Sequence, residues 1–186
     1  MKLKNFKEFV NENVRDILKP KSEEEIRKYL DNLNPLQQYE LWHENELDDK
    51  YRPSDKDIIE YVLTLEHNHC IEIILEYSLD LTYLPRDKDG VCRYKGNLIS
   101  GGMSESYIKE LPENFSMEGN LNIWDDYYMT KLPENLKIMG NFYCGIYNLT
   151  EIPDTLYVSG DMNCKCKIKL ELPPGAYVGG KFKNIR

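Results

Sequence analysis

Residues 132–144 read LPENLKIMGNFYC, and close copies of this stretch occupy 111–123, 152–164 and 172–182. The prolines that open the four copies are 21, 20 and 20 residues apart, and the glycines near their centres keep the same spacings. A fifth, imperfect copy begins at Leu81 and reaches its central glycine after a longer loop. Because two independent landmarks share one period near twenty residues, the sequence predicts a solenoid of four to five stacked coils.

Within each copy apolar residues occupy every second position, as they do from Leu136 to Cys144. A period of two is typical of a β-strand with one buried face. A straight strand of this length would span about 30 Å, so we expect the central glycine to turn a corner between two shorter strands. Equivalent inward residues of adjacent coils should then stack, as in the pairs Leu136–Leu156, Ile138–Val158 and Cys144–Cys164.

These copies resemble leucine-rich repeats. The Leu-Pro-x-x-Leu of residues 132–136 is similar to the short repeats of bacterial effectors, and the longer form Leu-Pro-x-x-Leu-x-Val-x-Gly-x-Leu is similar to repeats of phage and bacterial proteins. The usual pattern Leu-x-x-Leu-x-Leu-x-x-Asn is replaced by unbroken alternation. We therefore expect a straighter, parallel β-solenoid over 81–186 in place of a curved horseshoe with an asparagine ladder.

The first part of the chain has helical patterns. Apolar residues at helical spacing between residues 5 and 18 predict an amphipathic helix. Ser22 with Glu25 predicts a capping box before a second helix, Pro35 suits the first position of a third, and Ser54 is the expected N-cap of a fourth.

The apolar stretch 70–79 fits either a helix or a strand, and we favour a helix that covers the open end of the solenoid. The predicted fold class is α+β. The predicted organisation is an N-terminal helix over 1–20, an acidic helical cap over 21–80 and the repeat solenoid over 81–186.

Charge is distributed unevenly along the chain. Residues 1–80 contain eleven Lys or Arg against nineteen Asp or Glu, whereas residues 81–186 contain thirteen of each. This pattern fits a solvated helical cap, or alternatively an acidic surface that engages a basic partner or mimics nucleic acid. The net charge of -8 makes nucleic acid an unlikely partner, and no apolar run is long enough to predict a membrane span.

Residues 1–12, MKLKNFKEFVNE, resemble the capsid-targeting peptides of internal head proteins in T-even-like phages, of the form Met-Lys-x-aromatic-x-Glu-Phe-Ile-x-Glu. The resemblance implies a phage-encoded protein that is packaged in the head and cut after Glu12. Val10 stands where that family has Leu or Ile, and the peptide is two residues longer. A helix packed on its neighbours is an equally good and compatible interpretation of the same residues.

Few residues suggest catalysis or metal binding. A metal-dependent enzyme is kept as an alternative, with His67, His69 and Cys70 as its candidate metal ligands. Cys164 and Cys166 would add two thiolate ligands. Neither spacing is usual for structural zinc, and alternation already places Cys164 in the interior. The carboxylate pairs at 48–49 and 125–126 fit solvated loops. We therefore predict a protein with no cofactor and no catalytic site, and the five cysteines are expected to be reduced thiols.

Alternation also predicts two outward columns, Ser116–Lys137–Tyr157–Tyr177 and Asn122–Tyr143–Asn163–Lys183. Exposed Tyr and Trp are frequent binding anchors because they lose little rotamer entropy on contact. The predicted binding residues are Trp124, Tyr127, Tyr128, Tyr143, Tyr147, Tyr157 and Tyr177.

The predicted function is binding of a host protein, such as a defence or regulatory protein, in the host cytoplasm. A structural or internal component of the virion is the alternative. Binding of nucleic acid by the lysine-rich last coil is a weaker one.

Overall fold

The structure, a computed structural model, describes residues 22–44, 47–77, 79–101 and 108–185. The chain separates into two compact units, residues 1–65 and 66–186. The helix predicted over 1–20 and the peptide bond after Glu12 lie outside the described residues. Each unit is described below by itself.

The described part of the first unit is helical. Its elements are α1 (Glu23–Leu30), α2 (Pro35–Glu44), a 3-10 helix (Asp49–Tyr51) and α3 (Asp55–Val62). The predicted start signals are confirmed. The Ser22 hydroxyl accepts a hydrogen bond from the Glu25 amide, and the Glu25 carboxylate accepts one from the Ser22 amide. Ser54 caps α3 through its hydroxyl, which accepts from the Asp57 amide. Leu30 and Leu41 form the centre of a small apolar core.

The second unit begins with α4 (His67–Glu76) and a 3-10 helix (Leu81–Tyr83), and the stretch predicted as a helix over 70–79 is therefore largely α4. Sheet A contains β1 (Cys92–Lys95), β3 (Phe115–Glu118), β5 (Lys137–Ile138), β7 (Tyr157–Val158) and β9 (Tyr177–Val178). Sheet B contains β2 (Leu98–Gly101), β4 (Leu121–Asp126), β6 (Phe142–Ile146), β8 (Met162–Lys165) and β10 (Phe182–Ile185).

Every neighbouring pair of strands in the two sheets is parallel. Each coil contributes one strand to sheet A and the next strand to sheet B, so the described residues form five coils. The α+β fold with a helical N-terminal part and a parallel β-solenoid is confirmed.

Equivalent residues of successive coils meet in the interior as predicted. Ile138 lies in register with Met117 on one side and Val158 on the other, and Cys144 lies in register with Cys164. All five side chains are at most 1% exposed. The interior is therefore a set of apolar columns that runs along the solenoid axis, and each coil is stabilised by its neighbours.

The central glycine of each repeat lies at the corner between sheet A and sheet B. Gly119 has φ 149°, and a Cβ atom built on it would lie 2.1 Å from the carbonyl oxygen of Gly96 in the coil before. No larger residue fits this close approach, and the same crowding at Gly140, Gly160 and Gly180 explains why glycine recurs at the corner of the four later coils.

An asparagine ladder follows the glycine corner, contrary to our expectation. The backbone amides of Asn120, Asn141, Asp161 and Lys181 each donate to the side-chain oxygen of the equivalent residue one coil earlier, at 2.8 Å in every case, beginning at Asn97. At a corner the backbone leaves the strand pairing, so a short amide or carboxylate side chain satisfies the amide of the next coil. We expected no ladder because the asparagine of the usual leucine-rich pattern is absent, whereas in this chain the asparagine follows the corner glycine.

Helix α4 covers the free edge of β1. The His67 ring nitrogen Nε2 lies 2.7 Å from the carbonyl oxygen of Arg93. The Asn68 amide donates to the carbonyl oxygen of Lys95 and accepts from its backbone amide, at 2.7 and 3.2 Å. The first strand of sheet A thus has side-chain partners in place of a preceding strand, which protects that edge from pairing with another chain.

Candidate binding surface

A β-bulge in the second coil places Trp124 at the outer surface. The pairing of β4 with β6 runs in register to Ile123, and it then shifts so that Asp126 lies opposite Ile146. The extra residue is the one that makes this repeat 21 residues long. Asp125 has φ 46°, in the left-handed region that Asp tolerates better than most residues. We expected 125–126 to lie in a solvated loop, but β4 continues through Asp126.

Five of the predicted binding residues lie on the second and third coils. The rings of Trp124 and Tyr143 are stacked with their centroids 6.0 Å apart and their planes 16° apart, and those of Tyr127 and Tyr147 lie 5.2 Å apart. Trp124 is 46% exposed and Tyr128 is 65% exposed. We call these five residues, Trp124, Tyr127, Tyr128, Tyr143 and Tyr147, the aromatic ridge.

The other two predicted residues lie on the opposite sheet. Tyr157 and Tyr177 stack on the outer face of sheet A with centroids 4.9 Å apart, and the Lys137 ammonium lies 5.2 Å from the centre of the Tyr157 ring. The predicted column Ser116–Lys137–Tyr157–Tyr177 is confirmed by the strand register. The structure thus separates the seven residues into the aromatic ridge and a tyrosine pair, as the two predicted columns already separated Tyr143 from Tyr157 and Tyr177.

Positive charge lies beside the aromatic ridge on the outer face of sheet B. Lys165 and Lys183 are exposed there, on β8 and β10. The Lys165 ammonium is 3.5 Å from the Asp125 carboxylate, and both side chains are more than 60% exposed. Such an exposed, long ion pair contributes little to stability, so a carboxylate from another molecule can replace Asp125 at small cost.

A groove adjoins the aromatic ridge at Tyr128. Its volume is about 420 Å³, and its lining combines charged residues with leucine and proline side chains, namely Leu81, Leu111, Pro112 and Pro133. The cationic side chains in the lining are Arg86, Lys109 and Lys131. Arg86 is already engaged, because its guanidinium donates to the carbonyl oxygens of Gly90 and Glu113. Leu111, Pro112 and Pro133 in this lining belong to the repeated Leu-Pro motif, but the repeat pattern did not predict that a groove forms beside them.

The histidines and cysteines considered for metal binding have other roles in the structure. His67 holds the edge of β1, and Cys70 is buried on α4, where desolvation raises the pKa of its thiol. Thiol contacts from Cys164 and Cys166, together with burial, raise the pKa of Cys144 well above its usual value. Among the described residues, no three His, Cys, Asp or Glu side chains are grouped so that they could hold a metal ion.

No helix in the described ranges is both long enough and apolar enough to cross a bilayer. Comparisons with protein-family models, with curated proteins and with solved structures found no match to this chain. Its function therefore has to be inferred from the geometry and charge of its own surface.

Proposed function

We propose that the solenoid is a non-catalytic protein-binding module whose contact surface is the aromatic ridge. The observation that carries this proposal is the clustering of five aromatic side chains on two adjacent coils, with Trp124, Tyr127, Tyr128 and Tyr147 each more than 40% exposed. Large aromatic side chains at a surface add contact area with few rotatable bonds, and they dominate the energy of many protein interfaces.

The scaffold beneath the ridge supports this role. Phe142, Cys144 and Ile123 are at most 1% exposed and belong to the interior columns directly under Tyr143 and Trp124. Because β4 and β6 are fixed by close packing and by parallel pairing on both sides, the rings of Trp124 and Tyr143 need little ordering when a partner binds. Such preorganisation lowers the entropic cost of association.

A metal-dependent enzyme built on His67, His69 and Cys70 is the competing proposal. The contacts of these residues favour a structural role. His67 is bound to backbone, and His69 lies 3.8 Å from Glu72 on the same helix. Cys70 is 3% exposed, and its raised pKa favours the protonated thiol over the reactive thiolate at neutral pH.

The finer proposal is that the protein is phage-encoded and acts on a host defence or regulatory protein in the host cytoplasm, after packaging in the phage head. It rests on the resemblance of residues 1–12 to capsid-targeting peptides. Mass spectrometry of purified virions tests it through the mature N-terminus, which should begin after Glu12. A stoichiometric copy number in the virion would favour the structural alternative.

The binding proposal is tested by affinity purification with the full chain as bait, followed by mass spectrometry. The ridge variant carries alanine at Trp124, Tyr127, Tyr128 and Tyr143. The matched control carries alanine at Met139 and Ile168, which are each 45% exposed and lie outside the ridge. A third variant carries alanine at Tyr157 and Tyr177.

We expect the ridge variant to lose its specific partners while it keeps the thermal melt of the parent protein, and the control to retain them. Loss of the partners only in the variant of Tyr157 and Tyr177 would move the contact surface to sheet A. Retention of the same partners by the ridge variant would contradict the proposal.

A further inference from the structure

The outer face of sheet B carries two columns with the same order of chemistry. In the first, the strand register places Tyr143, Asn163 and Lys183 on successive coils. The second column consists of Trp124, Gly145 and Lys165. Each of them comes directly after one of the interior residues Ile123, Cys144 and Cys164, which are aligned on adjacent strands. Each column thus runs from an aromatic ring, over a small or amide residue, to a lysine two coils away. Since adjacent strands are about 4.8 Å apart, each ring is about 10 Å from the strand of its lysine.

We propose that this face binds an extended acidic segment of a partner protein, with an aromatic or aliphatic anchor against Trp124 and Tyr143 and carboxylates at Lys165 and Lys183. The proposal rests on the proposed protein-binding function and names the chemistry of the partner. Its main support is charge complementarity. Both lysines are exposed on the sheet, and Lys183 has no ion pair with the described residues.

The spacing of the columns also suits an extended chain. A polyproline II segment rises about 3.1 Å per residue and repeats every three residues, so side chains three positions apart lie on the same side and about 9 Å apart. This rise is comparable to the distance of about 10 Å between the strand of each ring and the strand of its lysine. The recognised segment therefore has an anchor residue followed or preceded, three positions away, by Asp or Glu.

Asp125 shows that the Lys165 ammonium accepts a carboxylate partner. It holds its side chain 3.5 Å from the Lys165 ammonium from its position in the bulge beside Trp124. It therefore competes with the partner's carboxylate for Lys165. Removing the Asp125 charge should raise the affinity for the partner, whereas replacing the two lysines by glutamates should lower it. A general loss of structure would lower the affinity in both variants.

The probe is a random peptide library displayed against the immobilised full chain, followed by fluorescence anisotropy with individual selected peptides. Three variants are compared with the parent protein. They are Lys165→Glu with Lys183→Glu, Asp125→Asn, and the control Lys95→Glu with Lys137→Glu on the outer face of sheet A.

Selected peptides should contain an aromatic or large aliphatic residue three positions from Asp or Glu. The charge-reversal variant, Lys165→Glu with Lys183→Glu, should lower their affinity at least about tenfold. Asp125→Asn should raise their affinity about threefold. The control on sheet A should change it less than about twofold. Asn tolerates the left-handed backbone of the bulge as well as Asp does, so this variant keeps the fold.

The failures of the two proposals are distinguishable. If selected peptides depend on Trp124 and Tyr143 but are indifferent to the lysines, the binding surface stands and the acidic segment is rejected. If no peptide from the library binds the parent protein more tightly than the charge-reversal variant of Lys165 and Lys183, the proposal of an acidic segment is rejected as well. Tighter, lysine-dependent binding of a single-stranded oligothymidylate than of any selected peptide would overturn the proposal in favour of nucleic acid.

Discussion

The interior of the solenoid and its outer surface are built from alternate residues of the same strands, yet they differ in how they vary from coil to coil. The interior position of sheet A is apolar in every coil, as in Ile138 and Val158. The neighbouring outward position changes from Ser116 to Lys137 to Tyr157 along the same register. Close packing against the coils above and below restricts the first set, whereas the second set is partly or fully exposed and its contacts across coils are between surface side chains, such as Tyr157 and Tyr177.

This difference teaches where to look for function in a repeat protein. Residues that recur in every coil are explained by stacking, by the glycine corner or by the asparagine ladder. The bulge at Asp125 and the aromatic residues around it depart from the repeat, and the fold does not require them. Measurements that contrast repeated with unrepeated positions therefore test the whole interpretation.

The largest effect is expected from a charge in an interior column. Leu156 is 1% exposed and stacks between coils, so Leu156→Asp would bury an unpaired carboxylate and should destabilise the solenoid by more than about 4 kcal/mol. Chemical denaturation with circular dichroism should show loss of folding at 25 °C. Lys137→Asp on the outer face is the control and should melt close to the parent protein. An unchanged melt of the Leu156 variant would refute the interior assignment.

A smaller loss is expected at the glycine corner. Both Gly119 and Gly90 have positive φ, but a Cβ on Gly119 would meet backbone at 2.1 Å, whereas a Cβ on Gly90 would meet nothing within 4 Å. Gly119→Ala should cost about 3 kcal/mol from strain and collision together, and Gly90→Ala about 1 kcal/mol from strain alone. The measurement is the free energy of unfolding in urea. Equal losses at the two positions would mean that the corner does not depend on the close approach of the coils.

The asparagine ladder should contribute less than the corner glycine. Asn120 accepts the backbone amide of Asn141, so Asn120→Ala leaves that amide without its partner and should cost about 1 kcal/mol. Asn120→Asp keeps an acceptor in the same place, as Asp161 does two coils later in the column, and should recover most of the loss. Hydrogen exchange of the Asn141 amide measures the same bond directly. Faster exchange in the alanine variant and parent-like exchange in the aspartate variant are the expected results.

Much of the fold was predictable because the same pattern of apolar residues, proline and glycine occurs in several copies of the repeat. One Leu-Pro-x-x-Leu would be a weak signal, but four copies in phase predicted the stacking of Ile138 on Val158 and the turn at each glycine. The helix starts at Ser22 and Ser54 were predictable because capping is a local interaction. The asparagine ladder was visible as Gly-Asn or Gly-Asp in four coils, but its role depends on a backbone direction that periodicity does not give.

The candidate site was predictable only as a list of residues. Alternation and the glycine corner placed Tyr143 and Tyr157 in different outward columns, but they did not show that Tyr143 stacks on Trp124 of the coil before. The proline spacing of 21 showed that one repeat has an extra residue, but the sequence did not show that the strand continues through a bulge at Asp125. The groove beside Tyr128 arises from side chains of separate coils and loops, and its shape depends on the three-dimensional path of the chain.

The smallest effect is expected at the end of the asparagine ladder. Lys181 occupies the same position in the last coil as Asn120 in the second, and its amide donates to Asp161, but the described residues include no later coil whose amide could donate to its side chain. Lys181→Ala should therefore change the free energy of unfolding by less than about 0.5 kcal/mol, whereas Asn120→Ala is costly at the equivalent position. Urea denaturation of the two variants side by side makes the comparison. A loss at Lys181 as large as that at Asn120 would show that the ladder position contributes through some property other than accepting the next amide.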